Sequence, residues 1–482
     1  MTGVDVSQPR TRALPRVAPR RRGRKALLAE HRAVVVLLVV AAGLRLLAFV
    51  AVYPGIWFSD TNNYVTVAAT GRLSEVRVGG YALLVAPFWH LGSAAALVAL
   101  QHLLALGMVT LLYALLVRRG APRWLAVLAV VPAALDAYLI DIEHAVMSDT
   151  LFHAAVVVAI ALLLWWDRPG LAAVAAAGLL LGYAGVVRSV GAPFFAVFVV
   201  YLLVRRVGWR PLVVFCAGWA LVNVAYVGVY DAQHGKLAYS QWGGRFLYAR
   251  VATWADCSNL HGLPADERRY CPDPRHRMTS NGYLWGHTSP IHGIPDSADP
   301  RVRDFAMRVL KADPARYARS VAANTAHFFK PGHPIGHNDY SITVWQFPLK
   351  PAQPQYPDYR GPIRPHKAGD LSIYPNRYVT RFAGTPHTRA WASRLLRRYQ
   401  RVAYTPGPLL FACLVIVLVG LVLRRVPWRL KLDAALLAAC TLAALVVASA
   451  LSVFSYRYGL IAIILLPVAA ALAGTGMLRA AH

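Results

Sequence analysis

The chain has 482 residues, with 51 Lys and Arg against 22 Asp and Glu and 57% hydrophobic side chains, and a mean hydropathy of +0.44. Its Leu, Val and Ala gather in runs of roughly twenty, which excludes an ordinary soluble domain. The basic residues sit in short clusters between those runs, a pattern that argues against a nucleic-acid partner and for sorting across a membrane.

Residues 1–32 hold nine Lys or Arg, including Arg20, Arg21, Arg22, Arg24 and Lys25, with Asp5 and Glu30 as the only acids. They read as a disordered, basic cytoplasmic tail. The apolar run at 33–53 is long enough to span and lacks a small-residue cleavage site, so it reads as a first span and not as a signal peptide. Further spans are expected at 94–117, 121–140, 150–166, 171–187, 192–204, 212–230, 406–423, 433–451 and 459–478, about ten in all. Arg118, Arg119 and Arg123, then Asp167 and Arg168, then Arg205, Arg206 and Arg210, and finally Arg424, Arg425, Arg429 and Lys431 all fall inside if the spans alternate. Both termini are then cytoplasmic. The run at 81–92, with Pro87 and His90, is too short to cross and reads as a helix near the outer interface.

The expected fold is therefore an α-helical polytopic membrane protein of the plasma membrane. A seven-span module covers 33–230, an extracytoplasmic mixed or helical domain 231–405, and a three-span module 406–482. The outer domain is rich in Pro, His, Tyr and Arg, and its charge does not contradict the topology because long domains translocate regardless of charge. Cys257 and Cys271 lie in it and are expected to form a disulfide in an oxidising compartment, two free thiols being the competing reading. Cys216, Cys413 and Cys440 fall in spans as small packing residues. Asp299-Pro300 opens one amphipathic helix and Pro314 another. Pro348 to Pro365 is too proline-dense for regular structure, and a basic amphipathic helix from about Thr388 to Tyr404 suits the outer leaflet.

Ionisable residues at the ends of spans are costly near lipid and are functional candidates by default. At the outer ends these are Asp60, Asp141, Glu143, His144, Asp149, Arg188 and Arg457. Asp60 and Asp149 have a plainer explanation as first-turn acids complementing helix dipoles, Asp60 behind an N-capping Ser59. A lone interfacial Arg can likewise snorkel to headgroups. Taken together, the residue types suit one reaction. A sugar carried on a lipid phosphate has a stable leaving group, and the departing phosphate needs cationic stabilisation more than a proton. The acceptor hydroxyl needs a base. One carboxylate with Arg or a divalent cation, magnesium or manganese, meets both needs. Asp60 with Arg188 and Arg457 has that composition, while Glu143 or Asp149 would hold a cation or orient the acceptor. His144 and Tyr456 are further substrate-contact candidates.

Phe58-Ser59-Asp60 after the first span, Ser148-Asp149-Thr150-Leu151-Phe152 opening a later one, and Tyr456-Arg457-Tyr458 before a Pro-containing span resemble membrane glycosyltransferases of the GT-C class. That class is the protein mannosyltransferase and aminoarabinose transferase-like superfamily, which uses polyprenyl-phosphate sugars. Asp313-Pro314-Ala315-Arg316-Tyr317 is similar to a helix in the outer domains of actinobacterial members. The resemblance implies Asp60 as general base, Asp149 as a supporting acid and lipid-phosphate contacts near Arg457. It also implies membrane lipid, a polyprenyl-phosphate sugar and a cell-envelope acceptor as partners. The family often has an acidic pair in the first outer loop, where this chain has Thr61 beside Asp60, or Glu in the later motif, where it has Asp149. Two other readings stay open: a transporter or flippase for lipid-linked glycans, which calls for acids near mid-membrane, and a non-catalytic cell-envelope scaffold.

Overall fold

A computed structural model describes residues 29–332, 342–350, 377–452 and 454–481. Most of the basic tail and most of the proline-dense stretch lie outside the described residues. Among the described residues the protein is a bundle of α-helices with one two-stranded sheet. In chain order the longer helices among the described residues are α1 (Arg32–Ala51), α2 (Ser59–Thr70), α3 (Gly80–His90), α4 (Ala94–Arg118), α5 (Arg123–Leu135), α6 (Ala137–His144), α7 (Asp149–Leu164), α8 (Leu171–Val187), α9 (Phe194–Val204) and α10 (Trp209–His234). They continue with α11 (Gly243–Ala252), α12 (Asp299–Ala312), α13 (Pro314–His327), α14 (Ala390–Val402), α15 (Gly407–Val422), α16 (Trp428–Leu451) and α17 (Leu460–Ala481).

Among the described residues, five helices are long and apolar enough to cross a membrane: α1, α4, α10, α16, and α17 with the turn before it. Counting each of two bent pairs as one span gives seven. One bent pair is α5 and α6, which meet at 49° where the sequence reads as a single span. The break falls at Asp136, whose carboxylate accepts from the backbone N–H groups of Tyr138 and Leu139 and so starts a new helix. The other pair, α14 and α15, bends by 46°. Helices α7, α8 and α9 are apolar but shorter.

Helix α17 is the central post, buried along Leu460–Ala473 and packed against α5, α15 and α16. Helices α8 and α10 approach closely through small residues. A Cβ at Gly182 would stand 2.8 Å from the Trp219 carbonyl oxygen, and one at Gly218 would stand 2.9 Å from that of Ala175. Residues Tyr248, Tyr270, Tyr283, Val302 and Phe305 form a separate apolar cluster in the segment between α10 and α13. There Cys257 and Cys271 are disulfide-bonded, with Cα atoms 6.0 Å apart. Helix α14 lays Ala392 and Leu396 against α1 and leaves Trp391 and Val402 exposed. Strands β1 (Val52–Tyr53) and β2 (His387–Thr388) pair antiparallel, Val52 opposite Thr388, and tie the end of α1 to the start of α14.

Candidate active site

Five charged side chains converge at one end of the bundle, each delivered by a break between helices. Asp60 is the second residue of α2, and Asp149 is the first of α7. Arg188 caps α8, and Arg457 lies in the 3-10 turn Tyr456–Gly459 that leads into α17. Arg77 comes from the connection between α2 and α3. That connection reverses at Gly71, whose φ of 69° suits glycine. Ser74 fixes it further, its hydroxyl accepting from Asn63 Nδ2 at 2.6 Å and from the Val76 N–H at 3.1 Å.

Arg77 grips Asp60 with both terminal nitrogens, Nη2 to Oδ1 at 2.9 Å and Nη1 to Oδ2 at 3.1 Å. Arg457 reaches both acids, with Nη1 3.4 Å from Asp60 Oδ2 and Nε 3.7 Å from Asp149 Oδ1. Arg188 Nη1 lies 2.5 Å from Asp149 Oδ2. The Arg457 guanidinium also sits over the rings of Tyr458, Trp345 and Phe58, at 5.3, 5.4 and 6.0 Å. Tyr64 faces Ser148, with its hydroxyl 3.0 Å from Oγ.

Asp60 and Asp149 are 4% and 2% exposed, so neither is a solvated surface acid. Burial pushes the Asp60 carboxyl upward, but the charges of Arg77, Arg457 and Arg188 outweigh it and hold it below the usual Asp range. Asp60 is therefore ionised at neutral pH. Arg457 Nε is shielded from solvent and, with Asp149 Oδ1 at 3.7 Å, makes no hydrogen bond among the described residues. Such a donor is costly unless something accepts from it. Three guanidiniums face two carboxylates, leaving one positive charge in excess, and that arrangement suits an anion.

The same donor set does not fit a magnesium or manganese ion. Each carboxylate is held by two arginines, and a divalent cation would have to displace them in a locally positive field. Among the described residues, no group of three or more His, Cys, Asp and Glu could hold a metal ion.

The sequence candidates divide. Asp60, Asp149, Arg188 and Arg457 come together; Glu143, His144 and Tyr456 do not join them. Glu143 is clasped by Arg45, Nε to Oε2 at 2.8 Å and Nη2 to Oε1 at 2.9 Å, with His102 Nδ1 at 3.3 Å. His144 lies between His102, 2.9 Å away, and the Val52 carbonyl oxygen, 2.6 Å away. These residues look from α6 toward α1 and α4, whereas Asp149 begins the next helix. Tyr456 packs on Tyr138 with ring centroids 5.0 Å apart, while its neighbour Arg457 points to the acids. Ser59 is not the N-cap of α2 but its first residue. The cap is Phe58, whose N–H donates to Thr61 Oγ1 at 3.0 Å. The apolar helices α1 and α4 also carry buried polar side chains, Arg45 and His102.

Sequence reasoning missed Arg77, Tyr64 and Trp345. Only Arg77 left a signal, as a basic residue in the same connection that follows Asp60. A separate polar cluster marks the opposite end of the bundle. There Arg119 pairs with Asp433 and, at 3.2 Å, with Asp167, which Arg429 also meets at 2.8 Å. Asp167 lies just past the far end of α7, whose 16 residues make it about 24 Å long. No family model, curated protein or solved structure matches this chain.

Proposed function

We propose that the chain is a GT-C-type membrane glycosyltransferase that moves a sugar from a polyprenyl-phosphate donor to an acceptor hydroxyl in the cell envelope. On this reading it crosses the plasma membrane about ten times, with α7, α8 and α9 as short spans, both termini cytoplasmic and residues 231–405 outside. The observation that carries the reading is the buried, ionised Asp60 held between Arg77 and Arg457 beside a second ion pair, Asp149 and Arg188. A base and a cluster with excess positive charge stand at one end of an apolar bundle, where a lipid-borne phosphate would arrive.

The step can be written with this chain's own residues. Asp60 takes the proton of the acceptor hydroxyl, the acceptor oxygen bonds to the anomeric carbon, and the bond from that carbon to the phosphate oxygen breaks. Arg457 and Arg188 stabilise the charge left on the departing polyprenyl phosphate. A carboxylate gripped by arginines is a weak base, and the donor itself relieves this. When its phosphate draws Arg457 and Arg77 away, Asp60 loses the charges that depress its pKa and becomes more basic as the reactants meet.

The test is Asp60→Asn and Asp60→Ala in membranes given a panel of radiolabelled polyprenyl-phosphate hexoses. Transfer should vanish while the protein still inserts and folds. Undiminished transfer in a well-folded variant would overturn the reading.

One observation favours a second reading, transport of a lipid-linked glycan. The Arg45, Glu143, His102 and His144 cluster buries ionisable groups between α1, α4 and α6, as carriers do. Flux of a labelled lipid-linked sugar across proteoliposomes, abolished by Glu143→Gln but not by Asp60→Asn, would support it.

A further inference from the structure

We propose that Arg250, Arg277 and Arg316, with Trp254, form a binding site for an acidic saccharide, one carrying a carboxylate or phosphate. The three arginines line a cavity of about 300 Å³ bounded by α11, the segment at 277–278 and α13. A volume of that order lies at the lower end of ordinary small-ligand sites. It is separate from the Asp60 cluster and shares no residue with it.

Arg250 is buried and fixed. Its Nε donates to the Ser449 carbonyl oxygen at 3.0 Å, and its Nη2 donates to Ser320 Oγ at 2.6 Å. It thereby anchors the cavity floor to the end of α16. Arg277 and Arg316 stand exposed on the rim, Arg277 donating to the Ala252 carbonyl oxygen at 3.2 Å and Arg316 lying over the Trp254 ring at 5.4 Å. Among the described residues, none of the three pairs with a carboxylate. Arg245, also on α11, does so at 2.5 Å from Asp296. Asp256 feels the charges of Arg277 and Arg316, but its oxygens accept from Ser258 Oγ at 2.7 Å and Asn259 Nδ2 at 3.1 Å in its own turn.

Three like charges held around one opening repel one another until an anion neutralises them. Guanidiniums match carboxylate and phosphate geometry. Ser320, Asn324 and the Trp254 ring add the hydroxyl partners and the flat apolar face that a sugar uses, and an acyl chain would find little apolar wall here. The ligand is therefore the acidic sugar itself; an anionic phospholipid headgroup is the alternative to be tested.

The experiment uses the full chain in zwitterionic phosphatidylcholine nanodiscs, titrated calorimetrically with a glucuronic-acid-containing disaccharide and with its neutral glucose counterpart. Saturable binding of the acidic sugar alone is expected, weakened at least tenfold by Arg277→Gln and by Arg316→Gln. Arg319→Gln, on the exposed side of the same helix and outside the cavity, should leave it unchanged. The proposal is overturned by equal affinity for the neutral sugar, by no binding of either, or by indifference to the two rim substitutions. It is also overturned if nanodiscs doped with phosphatidylglycerol bind through these arginines while the free acidic sugar does not.

Discussion

Arg457 Nη1 lies 3.4 Å from Asp60 Oδ2 although 397 positions separate the two residues in the chain. The same guanidinium turns its Nε toward Asp149, so one side chain from the last third of the sequence holds two acids from the first third in register. Lysine can supply the charge but not donors spread across a rigid planar fork. Arg457→Lys should therefore lower kcat/KM for the lipid-phosphate donor by roughly tenfold to a hundredfold, about 1.4–2.7 kcal/mol of transition-state stabilisation. It should preserve folding better than Arg457→Ala. Steady-state kinetics on the two variants check this, and equal rates for wild type and Arg457→Lys would show that the bridge has no part in turnover.

Arg77 has a separable role because it grips Asp60 and touches no other acid of the cluster. With the carboxyl held low, the pairing stabilises the fold fully above the ordinary Asp value, and that stabilisation is lost as pH falls from there through the lowered folded pKa. Arg77→Gln removes the strongest of the charges that lower the Asp60 pKa and leaves burial, which raises it. The acid limb of the pH–rate profile should move to higher pH in that variant. An unmoved limb would mean that another group controls it.

Much of the helical layout is legible in the sequence because an apolar run carries its own length: the apolar runs fall on helices, five of which are long and apolar enough to cross a membrane among the described residues. What escapes is set by contacts rather than by runs. Asp136 breaks the third run because its side chain captures two backbone N–H groups, and an Asp inside an apolar stretch does not announce which way it turns. Glu143 and Asp149 are six positions apart and read as one acidic group. The end of α6 falls between them and sends their side chains to different partners, Arg45 and Arg188. Arg77 belongs to an irregular connection with no period to read, so its approach to Asp60 depends on the turn at Gly71.

The Arg45–Glu143 pair predicts a structural loss. Both side chains are nearly inaccessible, at 3% and 4%, and Arg45 also donates to the Ala41 and Ala134 carbonyl oxygens at 3.0 Å each. Removing one partner strands a buried charge, which costs about 3–5 kcal/mol. Glu143→Gln should lower the thermal unfolding midpoint in detergent, and an Arg45→Met/Glu143→Leu pair should recover part of the loss. A Glu143→Gln protein that melts with the wild type would show that the pair contributes no net stability.

The connection that carries Arg77 meets the outer segment at Glu75, whose carbonyl oxygen accepts from the Gln241 N–H, and that contact should answer to pH. Glu75 has its pKa raised to about 7, first by a hydrogen bond to Asp296, then by burial and by the Asp296 charge, against weaker opposition from Arg72 and Lys236. His234 Nδ1 also faces Glu75, at 3.5 Å, and Asp296 is itself held by Arg245 and by the Trp242 indole N–H. Protonated Glu75 donates to Asp296, while the ionised form repels it. Because the folded pKa is raised, the stabilisation is full below the ordinary Glu value of 4.5 and is lost as pH rises through about 7. The backbone contact beside it, from the Gln241 N–H to the Glu75 carbonyl oxygen at 2.6 Å, should open more often on the alkaline side. Hydrogen exchange at Gln241 and at residues 73–79, corrected for the intrinsic pH dependence of exchange, should show weaker protection at pH 8 than at pH 6. Glu75→Gln keeps a donor at all pH values and should flatten the difference. Protection that strengthens with pH, or an unchanged pH difference in Glu75→Gln, would show that this acid pair does not govern the contact, and Arg77 would then be positioned by Gly71 and Ser74 alone.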